Sequence, residues 1–194
     1  MSCIYLVAVG AVERELQEAV RERLWGTFGV TVTPLPALPE PSYALDPRRN
    51  QYSSVAVMHE LIKLCPEQMA GAPGGGDGQT AHGEARVLGL TERDLFIPML
   101  SFIYGQAQLN GCVGIVSLAR LRQEFYGQPP NQRLLLVRLL KEATHEIGHT
   151  FGLVHCLDRS CPMSLATNIR QLDSKGIEWC AHCAERVKRA VSKW

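Results

Sequence analysis

The residues best able to do chemistry stand together in the segment His145-Glu146-Ile147-Gly148-His149-Thr150-Phe151-Gly152-Leu153-Val154-His155. His145 and His149 are four apart, so on a helix they project from one face, one turn from each other. Two imidazoles in that relation can bind one zinc ion at about 2.0–2.1 Å each. Glu146 can reach a water on that metal without binding the metal itself, which makes it the candidate general base. A third ligand on the same straight helix would fall near Gly152 and Leu153, and neither has a ligating side chain. The chain must leave the helix there. Gly152 permits the necessary backbone turn at little steric cost, and His155 can then swing back to the metal. Three neutral ligands leave a fourth position for water, which marks a catalytic rather than a structural zinc site. By average composition the joint pattern arises by chance with a probability on the order of 10⁻⁵, so ordinary core or surface histidines account for it poorly.

These residues need a helix to hold them, and the spacing supplies one. Leu136, Leu140, Ala143 and Ile147 recur at helical intervals and predict a buried stripe. Asn131, after Pro129-Pro130, can cap the start. Gly152 stands where a helix ends in a left-handed turn. Upstream, Ile4 to Val9 is a continuous apolar run and reads as a buried strand. Val12 to Trp25 has amphipathic helical spacing. Val30 to Leu38 reads as a strand running into prolines, Tyr52 to Leu64 as a second helix, and Ala85 to Leu90 as a third strand. Asn110-Gly111 between the apolar runs Phe102–Gln108 and Cys112–Leu118 predicts an antiparallel hairpin. Residues 70–84 are rich in glycine and read as a surface loop, since no lysine with serine or threonine follows to make a phosphate-binding turn. Strand, helix, strand, helix, strands and a long helix make a mixed α/β plan, α+β in arrangement.

The chain of 194 residues suits a single domain, and 46% apolar residues suffice for a core. A net charge of +1 argues against a nucleic-acid binder. The basic run from Arg186 to Lys193 reads as the solvated face of a terminal helix. The N-terminal apolar run is short, lacks a basic lead and meets Glu13, Glu15 and Glu18 at once, unlike a signal peptide. No segment reaches the roughly 18 apolar residues of a membrane span. A cytoplasmic monomer without membrane contact is expected. Seven cysteines in such a chain argue against a disulfide framework. Cys3, Cys65 and Cys112 read as small buried hydrophobes. Cys156, Cys161, Cys180 and Cys183 cluster as two pairs, which suggests metal.

The extended histidine motif resembles the metzincin signature, whose Met-turn would place Met163 of Cys161-Pro162-Met163-Ser164 beneath the zinc site. With Cys156 directly after His155, Cys161 two residues before Met163 and Cys180-x-x-Cys183 beyond, the segment His145 to Cys183 resembles the archaemetzincin family. The interval from Met163 to Cys180 is one residue shorter than that family's pattern, a difference a loop can absorb. The upstream Tyr104-Gly105-Gln106 is also similar, though less specific, and marks a candidate substrate-binding strand. The resemblance implies a zincin-like twisted mixed sheet with an active-site helix, followed by an irregular zinc-bound C-terminal part that carries the Met-turn. The expected division is an N-terminal subdomain at 1–152 and a C-terminal one at 153–194 within one catalytic domain.

The four cysteines suit a closed tetrahedral site with no position for water, hence a structural ion. Two disulfides, four free thiols or a ligand role for His182 are the alternatives. The expected cofactors are therefore two zinc ions, one catalytic and one structural. The implied activity is peptide-bond hydrolysis on peptide or protein substrates. Hydrolysis of a non-peptide amide or ester would use the same residues. A zinc-stabilised binding module without strong catalysis is the third reading, against which the intact Glu146 argues.

Overall fold

Ile4 to Val9 carries apolar side chains at every position because both faces of its sheet are covered. The computed structural model describes residues 3–65 and 85–194, so the glycine-rich stretch 70–84 lies outside the described residues. In chain order, β1 (Cys3–Ala8) leads to α1 (Arg14–Phe28), which ends at Gly29 in the left-handed conformation. Next come β2 (Thr31–Pro34), a short 3₁₀ turn (Ser42–Ala44), β3 (Leu45–Asp46) and β4 (Gln51–Ser53). Ser53 caps α2 (Ser54–Ile62) through the backbone N–H of Ala56. Beyond residue 84 follow β5 (Ala85–Thr91), β6 (Leu95–Phe96), β7 (Gly105–Ala107) and β8 (Val113–Ser117). The long helix α3 (Gln132–Thr150) precedes α4 (Ile169–Ser174) and α5 (Ala181–Val191).

The main sheet has the order β2-β1-β5-β8-β7. Its β2, β1, β5 and β8 run parallel, and β7 is antiparallel to β8 at the edge. Alternation along the strands separates two cores. Ile4, Leu6, Leu88, Leu90 and Val116 face Leu16, Val20 and Leu24 of α1 and Leu139, Ala143 and Ile147 of α3. Val7, Val87, Val113 and Ile115 face Val57, Met58 and Leu61 of α2. The first cluster also takes in Leu153, Met163, Leu172, Cys183 and Val187. Among the described residues no helix is long and apolar enough to cross a membrane.

Three expectations need correction. The stripe on α3 is Leu135, Leu139, Ala143 and Ile147, with Leu136 and Leu140 only partly buried. The hairpin strand expected over 102–108 is regular only over Gly105–Ala107, with Tyr104 and Gln108 bonded to β8 at its ends and Ile103 bridged to Leu95 instead. Cys65 and Cys112 are joined as a disulfide with their Cα atoms 6.4 Å apart, rather than standing as separate hydrophobes. The cause is tertiary: the end of α2 packs over the start of β8. Cys3 is free and partly buried. A second, three-stranded sheet β3-β4-β6 lies outside the elements that the sequence pattern predicts.

Candidate metal centre

The last turns of α3 carry the histidines. Asn131 caps its start, accepting from Leu134 N at 2.9 Å. At the other end Gly152 adopts φ 80°, and two bonds close the turn, Gly152 N to His149 O at 2.8 Å and Leu153 N to Gly148 O at 3.1 Å. This left-handed closure satisfies two carbonyls that the helix end leaves open. It also returns His155 over His145 and His149, with ring centroids 5.3 and 5.0 Å away. One nitrogen from each of the three rings lies within 4.8 Å of the others.

The outer hydrogen bonds decide which nitrogens are available. His145 Nδ1 donates to the Pro162 carbonyl at 2.8 Å, and His149 Nδ1 donates to the Leu153 carbonyl at 2.7 Å. A carbonyl only accepts, so both Nδ1 atoms carry the proton and both Nε2 atoms present lone pairs. Those Nε2 atoms are 3.0 Å apart. Two facing lone pairs repel unless a cation lies between them, and a zinc with nitrogen ligands at about 2.0–2.1 Å needs nearly that separation. Burial, followed by the nearby Lys175 charge and His149, pushes His145 well below its ordinary pKa. Burial is also the leading cause of the lowered values of His149 and His155. Each of these shifts favours the neutral imidazole, the form that binds metal.

Glu146 is 4% exposed and lies against the edge strand. A Cβ placed on Gly105 would collide with its carboxylate, 2.7 Å from Cγ and 2.8 Å from Cδ, so only glycine lets β7 pass this close. Burial, and then the like charge of Glu142, raises the Glu146 pKa well above the usual carboxylate value. Met163 is fully buried, and its sulfur would lie 2.6 Å from a Cβ on Gly148. Gly148→Ala should therefore overpack this contact and that with Trp179, costing about 1–3 kcal/mol. Thermal denaturation checks this, and an unchanged melting temperature would contradict it.

A cleft of about 670 Å³ opens over the histidines. Tyr104, Gly105 and Gln106 line it with Glu146 and Lys175. Tyr104 is itself buried, and burial followed by its hydrogen bond with Tyr126 raises its phenol pKa. Gln106 Oε1 accepts from Ser54 Oγ at 2.6 Å. Two contacts had no signal in the sequence. Asn110 of the hairpin tip donates its backbone N–H to the His149 carbonyl at 2.8 Å. The buried pair Glu142 and Lys175 also sits in the cleft lining.

The sulfurs of Cys156, Cys161, Cys180 and Cys183 form a second group within 4.8 Å of one another, with Cys156 and Cys180 at 3.8 Å. Ligands at about 2.3 Å in a tetrahedron stand roughly 3.8 Å apart, so the set fits zinc. Burial is the main cause of the raised thiol values of Cys161 and Cys183, a cost that a coordinated cation removes. His182 is exposed and outside this group.

The family model described as peptidase family M54 matches residues 77–189. The archaemetzincin of Methanocaldococcus jannaschii is 35% identical over 185 residues, covering 95% of this chain and 92% of its own length. That of Pyrococcus furiosus is 33% identical over 195 residues, covering 98% and 94%. Among solved structures, a zinc-dependent peptidase from Methanocorpusculum labreanum superposes with a TM-score of 0.81 at 32% identity, covering 95% of this chain and 99% of that one. The archaemetzincin of Methanopyrus kandleri gives 0.77 at 33%, covering 98% and 96%.

Proposed function

This chain belongs to peptidase family M54, the archaemetzincins, and is a zinc metallopeptidase; from that premise we propose that His145, His149 and His155 hold its catalytic zinc and that Glu146 is its general base. The observation that carries the assignment is the pair of Nε2 lone pairs facing each other at 3.0 Å beside a buried carboxylate. Zinc bound there supplies Lewis acidity, making a water easier to deprotonate and a scissile carbonyl easier to attack. Glu146 takes the proton from the attacking water and passes it to the leaving amine. Its raised pKa suits that exchange, because the group must give the proton back. The Pro162 and Leu153 carbonyls keep His145 and His149 in the metal-binding tautomer. Met163 forms the apolar base under the histidines, as in a Met-turn.

A second zinc held by Cys156, Cys161, Cys180 and Cys183, all within the C-terminal subdomain (153–194), would cross-link that subdomain and tie α5 to the segment after His155, beside the N-terminal subdomain (1–152) in one catalytic domain. We read the protein as a cytoplasmic monomer acting on peptides or proteins. The cleft rim supports apolar substrate side chains: Leu100, Leu109, Val154 and Leu165 line it and are each at least half exposed.

The open edge of β7 is the proposed seat for Tyr104, Gly105 and Gln106 to bind substrate backbone. Ser117 N bonds Tyr104 O at 2.7 Å and Gln108 N bonds Val113 O at 3.0 Å. By antiparallel alternation Gly105 and Ala107 then turn their backbone groups away from β8, toward the cleft edge. A peptide can pair with them by strand addition. Mass spectrometry of a peptide library incubated with the zinc-loaded protein tests the activity. Ala107→Pro removes one outward N–H and none that bonds β8. It should raise KM for every cleaved peptide by roughly tenfold, the worth of one hydrogen bond of about 1.4 kcal/mol, with kcat little changed. An unchanged KM would place the substrate elsewhere.

A further inference from the structure

The catalytic proposal uses neither of two charged side chains buried in the cleft lining. Lys175 is 1% and Glu142 6% exposed at the side chain, and Lys175 Nζ lies 3.6 Å from Glu142 Oε1. Burying two charges is costly unless each is compensated, so such a pair at an active site calls for a reason. Its placement gives one. Lys175 Nζ donates to the Pro162 carbonyl at 3.2 Å, and the same oxygen accepts the His145 Nδ1 proton at 2.8 Å. One carbonyl with two lone pairs thus joins the ammonium to the imidazole.

The segment bearing Lys175 is itself clamped to α3. Arg138 makes a two-pronged bond to Asp173 at 2.7 and 2.8 Å. Lys141 Nζ donates to the Leu172 and Asp173 carbonyls at 3.2 and 2.9 Å. Lys175 therefore arrives at Pro162 from a docked position and not as a free-swinging chain.

We propose that Lys175 is a positioning residue: held by Glu142, its ammonium pins the Pro162 carbonyl, and that carbonyl fixes His145 with Nε2 turned toward the metal. The inference rests on the reading of His145 as a zinc ligand. Glu142 has a second role in it. A lone ammonium this close would repel a divalent cation, and the carboxylate cancels that charge. Glu142 also lies one helical turn before Glu146, and the Lys175 ammonium offsets part of the like charge it presents to the general base. An apolar residue at 175 would fill the space but leave Pro162 held only by His145.

The test is made on the full-length, zinc-loaded protein. Chelator competition gives the zinc affinity of the histidine site, and proton–nitrogen correlation spectra of the imidazoles report whether each Nδ1 proton is retained. In the wild type both His145 and His149 should show slowly exchanging Nδ1 protons. In Lys175→Met the His145 proton should exchange fast, the His149 proton should not change, and zinc affinity should fall roughly tenfold. Lys175→Arg keeps the charge and the donor and should restore both readings. If Lys175→Met does not fold, Glu142→Gln with Lys175→Met removes both charges together and should fold with the same weakened site. Wild-type affinity and an unchanged His145 signal in either variant would overturn the inference, as would loss of folding in both, which would make the pair a fold element only. If instead the wild-type histidines hold no zinc, it is the metal assignment that fails.

Discussion

Glu146→Ala should retain its zinc and lose peptide hydrolysis by at least about 100-fold, or roughly 2.7 kcal/mol of barrier, the lower end of what a positioned general base contributes. His149→Ala should lose both zinc and turnover. The contrast follows from geometry. The His149 ring nitrogen is one of the two facing across 3.0 Å, so its removal opens the metal site itself. The Glu146 carboxylate instead lies under the edge strand, where Gly105 leaves it room. Gly105→Ala, which drives a methyl group into that carboxylate, should also lower turnover while sparing the zinc. Zinc content by atomic absorption beside turnover on a cleaved library peptide reads all three variants. A Glu146→Ala protein with full turnover would sink the assignment, and a zinc-free Glu146→Ala protein would make the carboxylate a ligand instead.

What could be read from the residues differs by the range of the interactions involved. β1, β5, β8, α1 and α3 carry enough apolar residues at regular spacing to be recognised locally, and their bounds fall within a few positions of expectation. β3 and β6 are two residues long and have no period to detect. On α3 the phase slipped by one because Leu134-Leu135-Leu136 and Leu139-Leu140 offer more than one apolar face, and packing against α1 and β8 selects Leu135 and Leu139. Nothing local in the sequence marks Arg138, Lys141 and Glu142 as buried. They are buried because their partners come from residues 172–175, some thirty positions on. The Asn110–His149 bond and the Cys65–Cys112 disulfide likewise join elements far apart in the chain. The histidine motif was readable because one helix face and one glycine turn carry nearly all of its geometry.

Cys180→Ala should release one of two zinc ions and lower the melting temperature by on the order of 10 °C, corresponding to several kcal/mol in a chain of this size. Structural zinc in small fingers is worth about 10 kcal/mol or more, because it holds residues that no core would otherwise hold. Here some of that work is shared. Cys183 and Val187 of α5 belong to the main core, so the helix should stay associated when its metal is gone. Cys180 stands at the start of α5, and its loss leaves three thiols in a partly buried pocket with no closed tetrahedron. The effect should spread toward the catalytic ion only weakly. Cys156 follows His155, but its own backbone N–H is fixed to the Met163 carbonyl at 2.9 Å, which keeps His155 near its place without help from sulfur. The remaining zinc should therefore stay on the histidines and turnover at 25 °C should fall by less than about tenfold, while heat inactivation comes much earlier. Metal analysis and calorimetry on the variant decide the matter. Two retained zinc ions with a wild-type melting temperature would show that the four cysteines hold no metal. Loss of both ions would mean that the sulfur site builds the histidine site, against the independence that the Cys156–Met163 bond implies.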